Sequence, residues 1–285
     1  EISACLVGSE MCIRDRPIGW WLLFWPCVFG VWLSGAGWQL GLLVLLLLGA
    51  IAMRGAGCVY NDITDAELDR QVARTASRPI ASGRVSKRTA WIWLAALSLV
   101  GLVVLLQLPL QAQIIALISL VLVAAYPFMK RITWWPQAWL GLTFNWGVLV
   151  GWATLAGENW GVAIAVYLGC VLWTVGYDTI YALQDREDDA LVGIRSSALR
   201  MGGKVKQGVT ACYAGAVLLW GIGFWLLRED WVAWLTLIPV AWHLGWQIVT
   251  LDESDGDNPL ARFRSNRWAG FLLALACFVV GNAGV

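Results

Sequence analysis

Charge is what this sequence has least of. Only 14% of its 285 residues are Asp, Glu, Lys or Arg, where soluble domains carry roughly a quarter. The basic residues are scattered along loops with acids beside them, which argues against nucleic acid as a partner. Histidine occurs once, as His243, inside an apolar run with no carboxylate near it in sequence, so it reads as packing. Cys27, Cys58, Cys170, Cys212 and Cys277 lie in apolar segments and form no CxxC. They read as small membrane residues, neither paired nor metal-binding. There is no low-complexity stretch and no obvious internal repeat. The longest loop, residues 61–88, is too short to hold a soluble domain. The first residues lack the apolar core of a signal peptide, and the string CLVGSEMCIRDR resembles the translation of a sequencing-library adapter. Residues 1–15 are therefore set aside as an adapter-derived artefact, with residues 16–285 as one transmembrane domain. On that reading some native N-terminal residues are missing.

What is abundant is apolar: 59% of the chain, including 21 tryptophans. Nine runs, at 18–36, 39–60, 89–107, 112–129, 136–156, 159–181, 207–227, 231–250 and 267–284, are each near the ~20 residues that span a bilayer as a helix. The expected fold is an all-α polytopic membrane protein with nine transmembrane helices. Connections after the even-numbered runs carry most of the Lys and Arg, whereas the opposite connections carry only Arg228. The positive-inside rule then puts the N-terminus on the cytoplasmic side and the C-terminus outside. Trp134, Trp135, Trp231 and Trp268, near the ends of runs, fit an interfacial belt.

The informative charges are acids. After the run ending at Tyr60 come Asn61, Asp62, Asp65 and Asp69. At 100° per residue the three aspartates fall within about 60° of one another on a helix. Such a face repels itself unless a cation intervenes, and a hard dication such as Mg²⁺ takes oxygen ligands and bridges to substrate phosphate. Asp178, Asp185 and Asp189, seven and four residues apart, repeat the pattern and are expected to share one helix face within about 40°. Asp178 lies two turns inside an apolar run, where a carboxylate is costly and marks a functional site. Glu187 and Asp188 point elsewhere. Both clusters stand at the cytoplasmic ends of their helices, in corresponding basic loops. This suggests two metal positions flanking one diphosphate, with the active site facing the cytoplasm. Arg54, two turns before the first cluster, is expected to line the cavity. Arg74, Arg78, Lys130, Arg131 and Arg195 could grip diphosphate oxygens, with Arg78 and Lys130 the preferred pair.

These residues carry a resemblance. Asn61-Asp62-Ile63-Thr64-Asp65-Ala66-Glu67-Leu68-Asp69 is an NDxxDxxxD motif, and Asp185-Arg186-Glu187-Asp188-Asp189 is DxxxD, preceded by Tyr177-Asp178-Thr179. The chain resembles the UbiA superfamily of intramembrane aromatic prenyltransferases. Four blocks, at 16–26, 57–83, 126–141 and 177–198, resemble its bacterial branch that acts on 4-hydroxybenzoate. The resemblance implies nine helices around a central cavity open to lipid, under a cytoplasmic cap. It implies transfer of a polyprenyl group from polyprenyl diphosphate to the carbon ortho to the hydroxyl of 4-hydroxybenzoate, in ubiquinone biosynthesis in the bacterial inner membrane. It also implies Mg²⁺ on Asp62, Asp65, Asp69, Asp185 and Asp189. Asn61 would coordinate or orient a ligand, and Tyr177 and Asp178 would join the substrate site. Arg54 is a candidate for the acceptor carboxylate. Membrane lipid is the other expected contact. Prenyl chain length and oligomeric state are not legible. Other readings are a sibling enzyme with a haem, chlorophyllide or naphthoate acceptor, an ion-coupled transporter, or an inactive scaffold.

Overall fold

The computed structural model describes residues 19–35, 37–71, 75–155, 157–184, 186, 190, 193, 195–253, 255 and 257–282. Among them the only regular secondary structure is helical. The helices are α1 (Gly19–Leu33), α2 (Leu40–Asp69), α3 (Lys87–Leu105), α4 (Leu110–Ile132), α5 (Pro136–Phe144), α6 (Gly147–Ala153), α7 (Trp160–Ala182), α8 (Ser197–Met201), α9 (Val205–Leu227), α10 (Val232–Leu235), α11 (Ile238–Val249) and α12 (Asn258–Asn282). A single 3₁₀ turn, Gly202–Lys204, joins α8 to α9. Six stretches are long and apolar enough to cross a bilayer: α2, α3, α4, α7, Ser197–Leu227 and Val232–Val249. The chain is an integral membrane protein.

All nine apolar runs are helical over most of their length, but the structure corrects several boundaries. The fifth run breaks at Asn145–Trp146. There the Asn145 amide donates to Gly141 O at 2.9 Å, competing with the helix ladder, and also to Cys170 O and Thr174 Oγ1 of α7. The eighth run breaks before Ile238, because Pro239 in the first turn of α11 has no N–H to continue a ladder. The ninth helix starts at Asn258, nine residues before its apolar run. Pro259 suits a first turn, and Asn258 holds the end of the preceding element by donating to Thr250 O. Cys27, Cys170, Cys212 and Cys277 are free thiols, but Cys58 is disulfide-bonded, contrary to expectation.

The chain forms two compact units. Of the described residues, one takes 19–24 and Leu40–Leu108, and the other takes Trp25–Gln39 and 109–282. In the first, α2 packs along α3. An apolar plug of Ala66, Ile80 and Ala90, flanked by Val59 and Ile63, closes its loop end. In the second, α7 and α9 form the most extensive pairing. Their core holds Trp173, Tyr213, Trp220 and Phe224, each at most 2% exposed. The second unit also has backbone-to-backbone crossings. A Cβ on Gly30 would lie 2.5 Å from Trp152 N, and one on Gly147 would lie 2.6 Å from Cys27 Sγ. Glycine is what lets α1 and α6 approach this closely.

A buried polar chain links four helices of the second unit. Trp173 Nε1 donates to Asn266 Oδ1 (2.8 Å), Gln247 Nε2 donates to Asn266 Oδ1 (3.2 Å) and Ser265 Oγ (3.0 Å), and Tyr213 Oη donates to Gln247 Oε1 (2.7 Å). Gln247 and Asn266 are fully buried. In low dielectric such a network holds only if its members are paired. His243 belongs to the same packing, with its Nε2 3.1 Å from Ser265 O.

Candidate active site

The first acidic cluster is helical, as its spacing required: α2 continues nine residues past Tyr60 and ends at Asp69. This placement is electrostatically unfavourable. Carboxylates in the last turns of a helix meet the negative end of its dipole, and α2 has no basic residue there. The loop supplies the cation. Arg78 Nη1 donates to Asp69 Oδ2 at 2.8 Å and to Asp62 Oδ1 at 3.3 Å. The Asp69 side chain is 8% exposed, and those of Asp62 and Arg78 are each 24% exposed. Asp65 is fully buried beside them in sequence, and Asn61 is half-buried.

The return of Arg78 to α2 is built by the loop. Thr75 Oγ1 donates to Asp69 O, Arg78 N to Thr75 O and Val85 N to Pro79 O. Gly83, at φ +78°, allows the reversal. Ile80 is the apolar anchor. Ser86 then caps α3, accepting from Thr89 N at 3.1 Å. Outside the cluster, Glu67 pairs with Arg70 at 2.9 Å and Lys87 at 3.9 Å. Thr75 was not legible as a site residue, since a threonine in a polar loop carries no signal.

Among the described residues no three His, Cys, Asp or Glu side chains stand together as a ready metal site. Asp62 and Asp69 instead converge on a guanidinium nitrogen. That is itself a test of fit, because a pair of hard oxygen donors is already arranged about one cation. Arg54 lies deeper on α2, eight residues or about 12 Å of helix rise before Asp62. Its guanidinium rests against Gly19, where a Cβ would come within 2.7 Å of Nε.

In the second unit, Asp178 is half-buried on α7. Asp185, Asp189, Glu187 and Asp188 lie outside the described residues, as do Arg74 and residues 1–15. α7 ends at Ala182. Leu183 and Gln184 close 3₁₀-type turns onto Ile180 and Tyr181. Tyr177 is in the core at 2% exposure. Its hydroxyl accepts from Thr174 Oγ1 at 3.2 Å, and its ring packs on Trp173 and Phe263.

Lys130 and Arg131 occupy the last turn of α4. Arg195 is tied to that turn. Its N donates to Lys130 O (3.2 Å), its Nη1 donates to Ile132 O (2.7 Å), and its guanidinium sits 5.4 Å from the centre of the Trp134 ring. Ser197 N donates to Gln137 Oε1 and Ser197 Oγ shares a hydrogen bond with Thr179, so the segment after the second motif is anchored between α5 and α7.

Against known proteins, residues 23–280 match the UbiA prenyltransferase family. The chain is 41% identical over 268 residues to the mitochondrial 4-hydroxybenzoate polyprenyltransferase of Aedes aegypti, covering 92% of this chain and 60% of that protein. It is 41% identical to the Arabidopsis thaliana protein of that name over 93% of this chain and 66% of the relative, and 42% identical to the Homo sapiens one over 94% and 73%. It thus spans less than two thirds of the length of the first two. Among solved structures, a UbiA homologue from Aeropyrum pernix K1 superposes with a TM-score of 0.76 at 25% identity, over 91% of this chain and 97% of that one. A UbiA homologue from Archaeoglobus fulgidus bound to GPP and Mg²⁺ shares the fold, with a TM-score of 0.70 at 18% identity over 96% and 99%.

Proposed function

Because the chain belongs to the UbiA prenyltransferase family, we propose that it transfers a polyprenyl group from polyprenyl diphosphate to the carbon ortho to the hydroxyl of 4-hydroxybenzoate, in ubiquinone biosynthesis. The observation that carries this reading is the convergence of Asp62 and Asp69 of the NDxxDxxxD motif on one cationic nitrogen. The names of the 4-hydroxybenzoate-specific relatives support the acceptor. Residues 16–285 act as one domain in this proposal. Nine helices enclose a lipid-accessible cavity under a loop cap, and the motif ends face the cytoplasm of a bacterial inner membrane. The distribution of Lys and Arg supports that orientation.

Asn61, Asp62, Asp65 and Asp69, with Asp185 and Asp189 of the second motif, would hold Mg²⁺. When bound, Mg²⁺ neutralises charge developing on the departing diphosphate. The carboxylates would set where that cation, and through it the diphosphate, sits. Arg78, Lys130 and Arg131 add donors to its oxygens as the allylic C–O bond breaks and the diphosphate leaves with the electron pair. Arg195 holds the end of α4 in place. Arg54 would meet the acceptor's carboxylate, and Tyr177 and Asp178 would join the substrate site. The ring carbon attacks the allylic centre and then loses its proton. Apolar walls exclude water, which would otherwise capture the cation.

The test uses membranes containing the protein, 4-hydroxybenzoate, a polyprenyl diphosphate and Mg²⁺, with Asp62→Ala and Asp185→Ala alongside. Prenylated acid formed by the parent and lost in both variants and on chelation is expected. Product with another aromatic acceptor only would overturn the substrate. Absence of transfer to every acceptor by folded protein would overturn the reaction.

A further inference from the structure

One nitrogen, Arg78 Nη1, contacts both Asp62 and Asp69. A divalent cation held between these carboxylates takes their oxygens at about 2.1 Å, and a guanidinium nitrogen 2.8 Å from Asp69 Oδ2 and 3.3 Å from Asp62 Oδ1 stands between them. Like charges so close repel, so the two cations exclude each other. We infer that Arg78 and a divalent cation are alternative occupants of the Asp62–Asp69 pair, and that substrate diphosphate, by drawing the guanidinium to itself, opens the pair to the metal. This rests on the metal-and-diphosphate reading above.

The loop is built for such an exchange. The backbone of Arg78 is held by its own N–H to Thr75 O (3.0 Å) and by Ser82 N to its carbonyl (2.9 Å), and Ile80 two residues on is buried. None of these uses the guanidinium, so the side chain can swing while the turn stays. The side chain is partly solvent-exposed, within reach of an anion from solvent. A diphosphate offers the guanidinium a bidentate partner with more charge than either carboxylate. Metal and diphosphate then bind with positive coupling, each easing entry of the other. Metal alone must displace an internal competitor.

The experiment measures Mn²⁺ binding to detergent-solubilised protein by electron paramagnetic resonance, without diphosphate. Arg78→Gln removes the competitor and is expected to tighten Mn²⁺ binding about tenfold, the scale of one charge-assisted hydrogen bond. Arg78→Lys is expected to tighten it less. Mn²⁺ affinity equal to or weaker than the parent's in folded Arg78→Gln overturns the inference. If Arg78→Gln fails to fold, Arg78→Lys decides by the same criterion. The Asp62→Asn/Asp69→Asn double variant separates the two claims. Loss of the Mn²⁺ site there keeps the metal reading even if Arg78→Gln shows no tightening. Mn²⁺ binding like the parent's overturns the metal reading at this motif, and this inference with it.

Discussion

Asn266→Leu removes the acceptor that serves two buried donors. Trp173 Nε1 has Asn266 Oδ1 as its partner at 2.8 Å, whereas Gln247 Nε2 keeps Ser265 Oγ at 3.0 Å when Asn266 is lost. The asymmetry sets the magnitude. An orphaned buried donor costs about 1–3 kcal/mol, and a lost but replaceable bond about 1. Interhelical hydrogen bonds in membrane proteins average nearer 0.6 kcal/mol, because the unfolded chain in a micelle also finds partners. The added apolar side chain offsets part of the loss. Together these give a destabilisation of about 2 kcal/mol, readable as a shift in reversible unfolding in mixed micelles. Coupling is the sharper readout. Trp173→Phe deletes the donor, so combining it with Asn266→Leu removes both partners and should cost about 1 kcal/mol less than the two variants summed. A cost of Asn266→Leu under about 0.5 kcal/mol, or strict additivity, would refute the claim that this pair is a buried, desolvated contact.

Three further outcomes follow from the structure. Gly30→Ala puts a methyl against the backbone of α6, which cannot yield as a side chain can; a loss of about 3 kcal/mol is expected, and parental thermal stability in detergent would contradict it. Arg195→Ala should lower stability by about 1–2 kcal/mol through loss of the bond to Ile132 O, with the KM for polyprenyl diphosphate little changed in steady-state assays. Asp230 accepts from Arg228, which holds its carboxyl below the usual carboxylate value in the folded protein. Its stabilising effect is therefore present above the unfolded pKa of about 4 and lost as pH falls through the lower folded value. Asp230→Asn should flatten that part of the acid dependence of thermal unfolding.

The helices were legible because a bilayer-spanning run writes itself as apolar residues, and every such run proved helical. Their breaks were less legible. Asn145 and Pro239 interrupt runs that hydropathy alone reads as continuous, since the local bonding of one side chain or the absence of one N–H decides the matter. The first acidic face was readable from spacing because α2 is continuous through Asp69. For the second motif α7 ends at Ala182, and Asp185 and Asp189 lie outside the described residues.

Composition and periodicity by themselves determined an all-α membrane protein, the helical disposition of Asp62, Asp65 and Asp69, and the need for a cation among them. Those properties follow from local geometry and from the cost of placing unpaired charge in a low dielectric. Which cation meets the aspartates was decided only by the tertiary structure. Arg78 reaches Asp62 and Asp69 because a turn pinned by Ile80 folds back on α2. Arg195, an equally plausible cation in sequence, is drawn instead to the end of α4 and the face of Trp134. Sequence distance says nothing of such pairings, because they depend on where a loop closes and on which buried groups are left needing a partner.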